Sequence, residues 1–405
     1  MQDAFIEERY NEIMMQVQRG ANVQARVEQM NVGWRNYIMD AMGLDPETFQ
    51  AAQGTLGLQT DDSSGLFLMA DSVPPYSAMA FFDASGSGTR YNAYGSFLNC
   101  LLPSTAAGMK KALGPMYAEW KIFAKTNATK YATVEQMFDA FAMGNLDPTM
   151  AKAGRQVLAQ AANDPLSNAF RDYANPNFQT TFVNDANQPF GLPSYTGTIS
   201  NANKAIANGQ SVDIDFSTNS MDTKSTSTIV SGGASGMYEI FFGGANGEYS
   251  ASDEKASQSA FSIKGRIGSY ATMPTQAAGW YNGSMVTHGY NAKDDFNVWD
   301  AESNSGDWYT FFNEKTGSLA RRVSQIVLVT DLELTVTSEA SYSQSEFEQI
   351  KTEAQFGVWP FFSAKASGTH TSSYQLNADG SLSYHYTLPK GKTAIWGVTV
   401  QPAPQ

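Results

Sequence analysis

The side chains best suited to chemistry lie together between residues 280 and 312. The aromatic residues there include Trp280, Tyr281, Phe296, Trp299, Trp308, Tyr309, Phe311 and Phe312, and the acidic ones are Asp294, Asp295, Asp300, Glu302 and Asp307. Aromatic rings offer large apolar faces with a polar edge, which suits stacking on a sugar, and carboxylates accept hydrogen bonds from its hydroxyl groups. The candidate ligand-binding residues are therefore Trp280, Tyr281, Trp299, Trp308, Asp294 and Asp300.

The same segment permits two other interpretations. Two of its aspartates could serve as the acid and the base of glycoside hydrolysis; the candidates are Asp294, Asp295, Asp300 and Asp307. Alternatively the rings are core and the carboxylates cap loops, which is the interpretation we favour. Calcium loops also place oxygen ligands at alternate positions. Counting from Asp300, however, the glycine is seventh rather than sixth and no glutamate is twelfth, so we predict no metal site.

Nucleophilic catalysis has weak support. Cys100 is the only cysteine, and its neighbours from Phe97 to Leu102 are mostly apolar, which predicts a buried thiol. A cysteine nucleophile needs a histidine nearby, and the chain has only His288, His370 and His385. Phosphate-loop, dinucleotide-turn and nucleophile-elbow motifs are absent. We predict no cofactor and no activity that depends on Cys100, and we lean towards a protein that is not an enzyme.

A hydroxyl-rich stretch suggests a different function. Eleven of the thirty residues from 211 to 240 are Ser or Thr, and the apolar run 237–242 follows. Alternating hydroxyl and apolar residues are typical of the membrane-inserting hairpins of β-barrel pore-forming proteins, although many ordinary sheets share them. The pattern therefore indicates, as an alternative, a soluble pore-forming protein with its hairpin near 211–270.

Charge and hydropathy exclude several partners. With 39 acidic and 26 basic side chains the net charge is −13, which repels nucleic acid and anionic membranes. The charged N-terminus lacks the apolar core of a signal peptide, so we expect a cytoplasmic protein or one exported by a signal-independent route. The apolar stretch 65–82 contains Asp71 and a Pro-Pro pair, which argue against a membrane span.

Helical patterns dominate the first 175 residues. Val23, Val27, Met30 and Trp34 follow helical spacing, and the helix should end at Gly43. Asp-Pro pairs at 45–46, 147–148 and 164–165 predict helix starts, because Asp caps free N–H groups and Pro suits the first turn. Residues 133–136 predict a capping box, and Gly-Pro at 114–115 predicts a helix break.

Strand patterns dominate after residue 210. Residues 211–216 and 332–337 alternate in polarity, and 326–329 is an apolar run. The turn 377–380 between two alternating segments predicts a hairpin. Residues 389–392 predict another turn before a last strand at 395–400, and Ser345 to Glu348 predicts the capping box of one inserted helix.

The expected fold is therefore α+β. We predict a helical domain over 1–175, a linker over 176–209 and a β-rich domain over 210–405, folded as an antiparallel β-sandwich or barrel with one inserted helix. The expected function is non-enzymatic assembly or binding, with the β-rich domain presenting an aromatic, hydroxyl-rich surface. Its partner would be a second copy, another protein or a glycan, and a membrane only under the pore-forming alternative.

Overall fold

The computed structural model describes residues 22–23, 25–27, 29–57, 62–76, 89–103, 105–127, 130–131, 133–160, 164–184, 186–222, 251–301, 303–353, 357–358, 361–362 and 371–403. Contacts divide the chain into two units. The sheet unit takes the described residues of 1–87, 195–276 and 322–401, and the helical unit takes those of 88–194, 277–321 and 402–405. Each unit thus draws on chain from both sides of the predicted linker at 176–209, which itself contains a hairpin and a helix.

The sheet unit combines strands with helices. Its strands are β1 (Phe49–Gly57), β4 (Gln210–Ser217), β5 (Phe261–Pro274), β6 (Arg321–Ser338), β7 (Gly357–Val358), β8 (Phe361–Phe362), β9 (Thr371–Leu376) and β10 (Leu382–Pro402). Its helices are α1 (residues 29–42, with helical residues from 22), α2 (Ser64–Asp71), α9 (Ile199–Ala207), α10 (Ala251–Ser257) and α13 (Gln344–Glu353). Six strands form one sheet in the order β1-β10-β6-β5-β4, with β9 also paired to β10. The fold is α+β, and the described sheet is antiparallel and open rather than closed into a barrel.

The helical spacing at the start of α1 is confirmed by its packing. Val23, Val27, Met30 and Trp34 are all buried in the sheet unit's core. The ring of Trp34 lies edge-on to that of Phe216, with 5.4 Å between centroids. An apolar stripe of this kind stabilises the unit by about 1.5–3 kcal/mol per large side chain removed from water.

The helical unit consists mainly of short helices. They are α3 (Arg90–Leu98), α4 (Ala106–Leu113), α5 (Met116–Asn127), α6 (Val134–Asn145), α7 (Pro148–Gln160), α8 (Pro165–Tyr173), α11 (Gly283–Asn291) and α12 (Trp308–Phe312). A hairpin of β2 (Gln179–Val183) and β3 (Pro189–Pro193) joins them. One buried cluster joins α4, α5, α6 and α7, and it contains Trp120, Phe138 and Phe141.

Several predicted helix ends are confirmed. The helices α7 and α8 begin at the prolines of their Asp-Pro pairs, and α6 is capped by Thr133, whose hydroxyl accepts from the N–H of Gln136. Gly114 has a φ of 52° and separates α4 from α5, as the Gly-Pro pair predicts. Gly43, with a φ of 64°, follows α1.

Other local predictions are wrong. Asp45 starts no helix: its carboxylate accepts from the N–H of Glu47 and the hydroxyl of Thr48, forming a turn that leads into β1. The capping box of α13 begins at Ser343 rather than Ser345, because Glu346 accepts from the N–H of Ser343.

The prediction of a turn at 389–392 followed by a separate strand is also wrong. The strand β10 runs without a break from 382 to 402; it pairs with β9 over 382–387 and with β1 over 394–399, and it also lies beside β6. The β9–β10 hairpin itself is confirmed, with Leu376 opposite Leu382. Beyond residue 210 the described chain has four helices rather than one, and β1 joins the sheet from the front of the chain.

Two predictions concern membranes. No described helix combines the length and apolar character that a membrane span requires. The centre of the hydroxyl-rich stretch, residues 223–250, lies outside the described residues. The strands on either side of it, β4 and β5, pair antiparallel with Phe216 opposite Ile263.

Candidate functional site

The aromatic and acidic segment folds into helices and loops of the helical unit. Asn282 caps α11 by accepting from the N–H of Met285 at 3.2 Å. Asp307 caps α12 through a reciprocal box with Thr310, whose N–H and hydroxyl both donate to it at 2.9 Å. These caps fix where Tyr290, at the end of α11, and Trp308, at the start of α12, lie. The segment therefore lies in helices and loops of the helical unit, where its polar residues cap helices.

The three candidate tryptophans do not form a shared exposed platform. Trp280 is fully buried, and its indole N–H donates to the carbonyl of Ser194 at 2.9 Å. Trp299 is only 9 % exposed and packs against Phe97. Trp308 is half-buried, and its N–H donates to the carbonyl of Tyr290 at 2.8 Å. Of the three, only Trp308 presents part of its ring to solvent.

Four rings are exposed in whole or in part, and we call them the aromatic surface: Tyr290, Phe296, Trp308 and Tyr309. The exposed fractions are 40 % for Tyr290, 82 % for Phe296 and 53 % for Tyr309. The centroid of Trp308 lies 5.6 Å from that of Tyr290 and 5.3 Å from that of Tyr309. Sequence analysis missed Tyr290, although it follows His288 and Gly289 on a helix that leads into the acidic loop.

Lys293 links the rings to an open groove. Its ammonium nitrogen lies 4.6 Å from the centroid of Trp308 and 4.5 Å from that of Tyr309, within cation–π range. A hydrogen bond with Tyr309 raises the pKa of Lys293, so this group keeps its positive charge. The groove has a volume of about 660 Å³, and its lining includes Phe296, Asp294 and Asp295. The aromatic surface is therefore bordered by charges of both signs.

Most of the candidate carboxylates are engaged in structural contacts. Asp300 forms an ion pair of 3.1 Å with Lys121, and Asp295 accepts from the N–H of Asn297 at 2.8 Å. The hydrogen bonds from Thr310 lower the pKa of Asp307. A general acid for glycoside hydrolysis needs a raised pKa, so Asp307 is poorly suited to that role. Asp294 lies in the wall of the groove.

Tyr281, the remaining candidate, is held by an arginine. Arg90 donates to the hydroxyl oxygen of Tyr281, and its guanidinium carbon lies 4.7 Å from the centroid of the ring. The other hydrogen bond of this guanidinium goes to the carbonyl of Arg321 at 2.9 Å. Tyr281 therefore positions chain segments within the helical unit, and its ring face is occupied.

Cys100 lies in an environment that suppresses its reactivity. The thiol donates to the carbonyl of Ser96 and accepts from the hydroxyl of Ser303, both at 3.3 Å. Burial raises the pKa of Cys100, which keeps it in the weakly nucleophilic thiol form. His385 lies in the sheet unit beside the hydroxyl of Thr335, and His370 falls outside the described residues.

Within the described part of the chain, no group of three or more His, Cys, Asp or Glu side chains is placed to hold a metal ion. The described segment also carries exposed rings beside a lysine and two aspartates. No protein-family model, curated protein or solved structure matches this chain.

Proposed function

We propose that this chain is a non-enzymatic assembly protein, and that its aromatic surface contacts a second copy of the chain. The observation that carries the proposal is the contrast between exposed rings and engaged carboxylates. Phe296 is 82 % exposed while Asp300 is ion-paired and Asp307 caps a helix. Clustered exposed aromatic side chains are typical of protein interfaces, where they supply most of the binding energy.

The charges beside the rings favour a second copy as the partner. In a two-fold symmetric interface, the same surface of each copy contacts the other copy. A charged surface of this kind must therefore carry both positive and negative groups. The groove does so, because Lys293 lies next to Asp294 and Asp295 in the chain. In such a dimer Lys293 of each copy faces the two aspartates of the other.

The apolar rings must provide the driving force. Each copy carries a net charge of −13, which opposes approach at long range. An aromatic side chain can bury about 150–250 Å² in all, but Tyr290, Trp308 and Tyr309 are already partly buried, so the four rings supply only part of the roughly 800 Å² per partner in a standard interface. Added salt screens this long-range repulsion, and it also screens the attraction between Lys293 and the two aspartates.

Sedimentation equilibrium tests the proposal with the protein alone. We expect a wild-type dimer, and at least about tenfold weaker association for Phe296→Ser and Tyr309→Ser. Met143→Ser is the matched control, because Met143 on α6 is 84 % exposed but lies outside the aromatic surface. A wild-type chain that stays monomeric at about 100 μM, where interfaces of standard size assemble, would contradict the proposal. So would equal weakening by the control.

The pore-forming alternative remains a second candidate because β4 and β5, which flank residues 223–250, are paired neighbours in the sheet. Against it, Ile214, Phe216 and Ile263 of these strands are buried in the core. Exposing each costs about 1.5–3 kcal/mol. Our proposal predicts no dye release from vesicles. Dose-dependent release that is blocked by an engineered disulfide between β4 and β5 would establish the alternative instead.

The finer architecture is also part of the proposal. We propose that the open sheet belongs to a sandwich-like or barrel-like β-rich domain that serves as the scaffold. A glycan is the other ligand that exposed rings can accept, and a glycan that dissociates the dimer would identify the aromatic surface as a sugar site.

A further inference from the structure

The helical unit contains a pocket with an apolar floor. Its volume is about 470 Å³, within the range of sites that enclose small molecules. Four lining side chains are buried and apolar, namely Leu101, Leu166, Met285 and Val298. They come from the segment that follows α3, the start of α8, α11 and the loop that follows α11. The floor therefore combines distant parts of the sequence, which is why no local motif reveals it.

The mouth of the pocket is polar. Ser284 and His288 are exposed and lie four residues apart on α11, so they share one face of the helix. Asn297 is exposed at the same opening. Hydroxyl, imidazole and amide groups can all donate and accept hydrogen bonds. The mouth can therefore bind the polar end of a ligand whether that end donates or accepts hydrogen bonds.

The described residues that line the pocket include no lysine or arginine. They include one buried carboxylate. Asp164 is 3 % exposed, and its carboxylate accepts from the N–H and the hydroxyl of Ser167 at the start of α8. A negative head group would be repelled by Asp164 without any basic lining residue to offset the repulsion. A neutral head group meets no such penalty.

We propose that this pocket binds a small amphiphile that places an apolar body on the floor and an uncharged hydrogen-bonding head at the mouth. The apolar body gains free energy by leaving water, and the head keeps its hydrogen bonds at Ser284, His288 or Asn297. This site is independent of the assembly proposal, since none of the four exposed rings lines it. His288 and Asn297 also line the groove, so the mouth opens beside the aromatic surface.

Methyl NMR provides a direct test, because a methionine lies in the floor. The full chain carries ¹³C-methyl methionine and is titrated with 1-decanol, decanoate and decylamine. We expect decanol to shift the Met285 signal saturably and to leave that of Met137, in another buried cluster, unchanged. Decanoate should bind at least about tenfold more weakly, and decylamine no more tightly than decanol. No saturable shift at Met285, an equal or stronger response to decanoate, or a stronger response to decylamine overturns the proposal.

Two variants locate the site. Leu166→Trp occupies the floor, and Ser284→Trp obstructs the mouth from an exposed position that tolerates a large side chain. Each should weaken decanol binding at least about tenfold. The matched control is Leu68→Trp, since Leu68 is 44 % exposed and belongs to the sheet unit. If decanol binds Ser284→Trp as tightly as the wild type, the pocket is not the site.

Discussion

The indole N–H groups of two buried tryptophans, Trp280 and Trp299, differ in their hydrogen bonding. This difference predicts that Trp→Phe changes stability in opposite directions through that hydrogen bond at the two positions. Trp280 donates its indole N–H to the carbonyl of Ser194, whereas the indole N–H of Trp299 is buried without a partner among the described residues. Both side chains lie in the helical unit and both are at least nine-tenths buried. Trp→Phe removes the same atoms at each position, so the loss of packed volume is similar.

The expected difference follows from the hydrogen bonds. Trp280→Phe loses a bond worth about 0.5–1.5 kcal/mol, and the carbonyl of Ser194 keeps its bond from the N–H of Ala278. Trp299→Phe removes an unsatisfied donor whose burial costs about 1–3 kcal/mol. The free energy of unfolding of Trp299→Phe should therefore exceed that of Trp280→Phe by about 1.5–4.5 kcal/mol.

Urea unfolding followed by far-ultraviolet circular dichroism measures this difference, because eight of the thirteen described α-helices lie in the unit that holds both residues. The slopes of the two transitions should agree, so that the midpoints compare stability alone. Equal stabilities would show that the two N–H groups have the same surroundings. A less stable Trp299→Phe would show that Trp299 has a partner and would refute the assignment.

Three further predictions concern the helix cap at Asp307, the close backbone contact at Gly265 and the thiol of Cys100. Asp307→Ala should lower the free energy of unfolding by about 1 kcal/mol and Asp307→Asn by much less, since asparagine also caps helices. The pKa of Asp307 is lower in the folded protein than in the unfolded chain, so its ionised carboxylate stabilises the fold at pH values above the unfolded-state pKa. That stabilisation is lost as the pH falls through the folded-state pKa, and acid unfolding of the two variants measures the loss. Gly265→Ala should lower the free energy of unfolding, measured in urea, by more than about 3 kcal/mol, because Gly265 has a φ of 144° and a β-carbon would collide with the carbonyl oxygen of Glu333. Gly43→Ala should lower it by only about 1 kcal/mol, because the space around Gly43 is open. Cys100 should react with a thiol reagent far more slowly in the native protein than in urea, because burial raises its pKa; equal rates would contradict this.

Local signals in the sequence predict an element only where tertiary pairing agrees with them. The pair Asp164-Pro165 begins α8, but the same dipeptide at Asp45-Pro46 leads into β1. The difference comes from hydrogen bonds to β10, which lies at the far end of the chain and which no local pattern contains. For the same reason Gly391, with a φ of 84°, lies within β10 although its neighbourhood has the composition of a turn.

Sequence composition can indicate where a candidate site lies, but not which of its rings are exposed. Composition identified 280–312 as rich in rings and carboxylates, yet it cannot say which rings face solvent. Trp280 is buried because Tyr91 and Tyr94 pack around it. Tyr290, by contrast, is exposed at the end of α11. Those outcomes depend on which helices pack together, and that is a property of the whole unit.

If two copies of the chain meet through a surface that complements itself, reversing the charges of that surface should break the dimer. Lys293→Glu should abolish self-association, because the introduced carboxylate would face Asp294 and Asp295 of the other copy. The double change Asp294→Lys with Asp295→Lys should do the same with positive charges. An equimolar mixture of these two variants restores opposite charges on both sides of the interface. Sedimentation equilibrium should therefore show two monomeric variants that form a dimer when mixed. A mixture that stays as monomeric as its components would contradict the account.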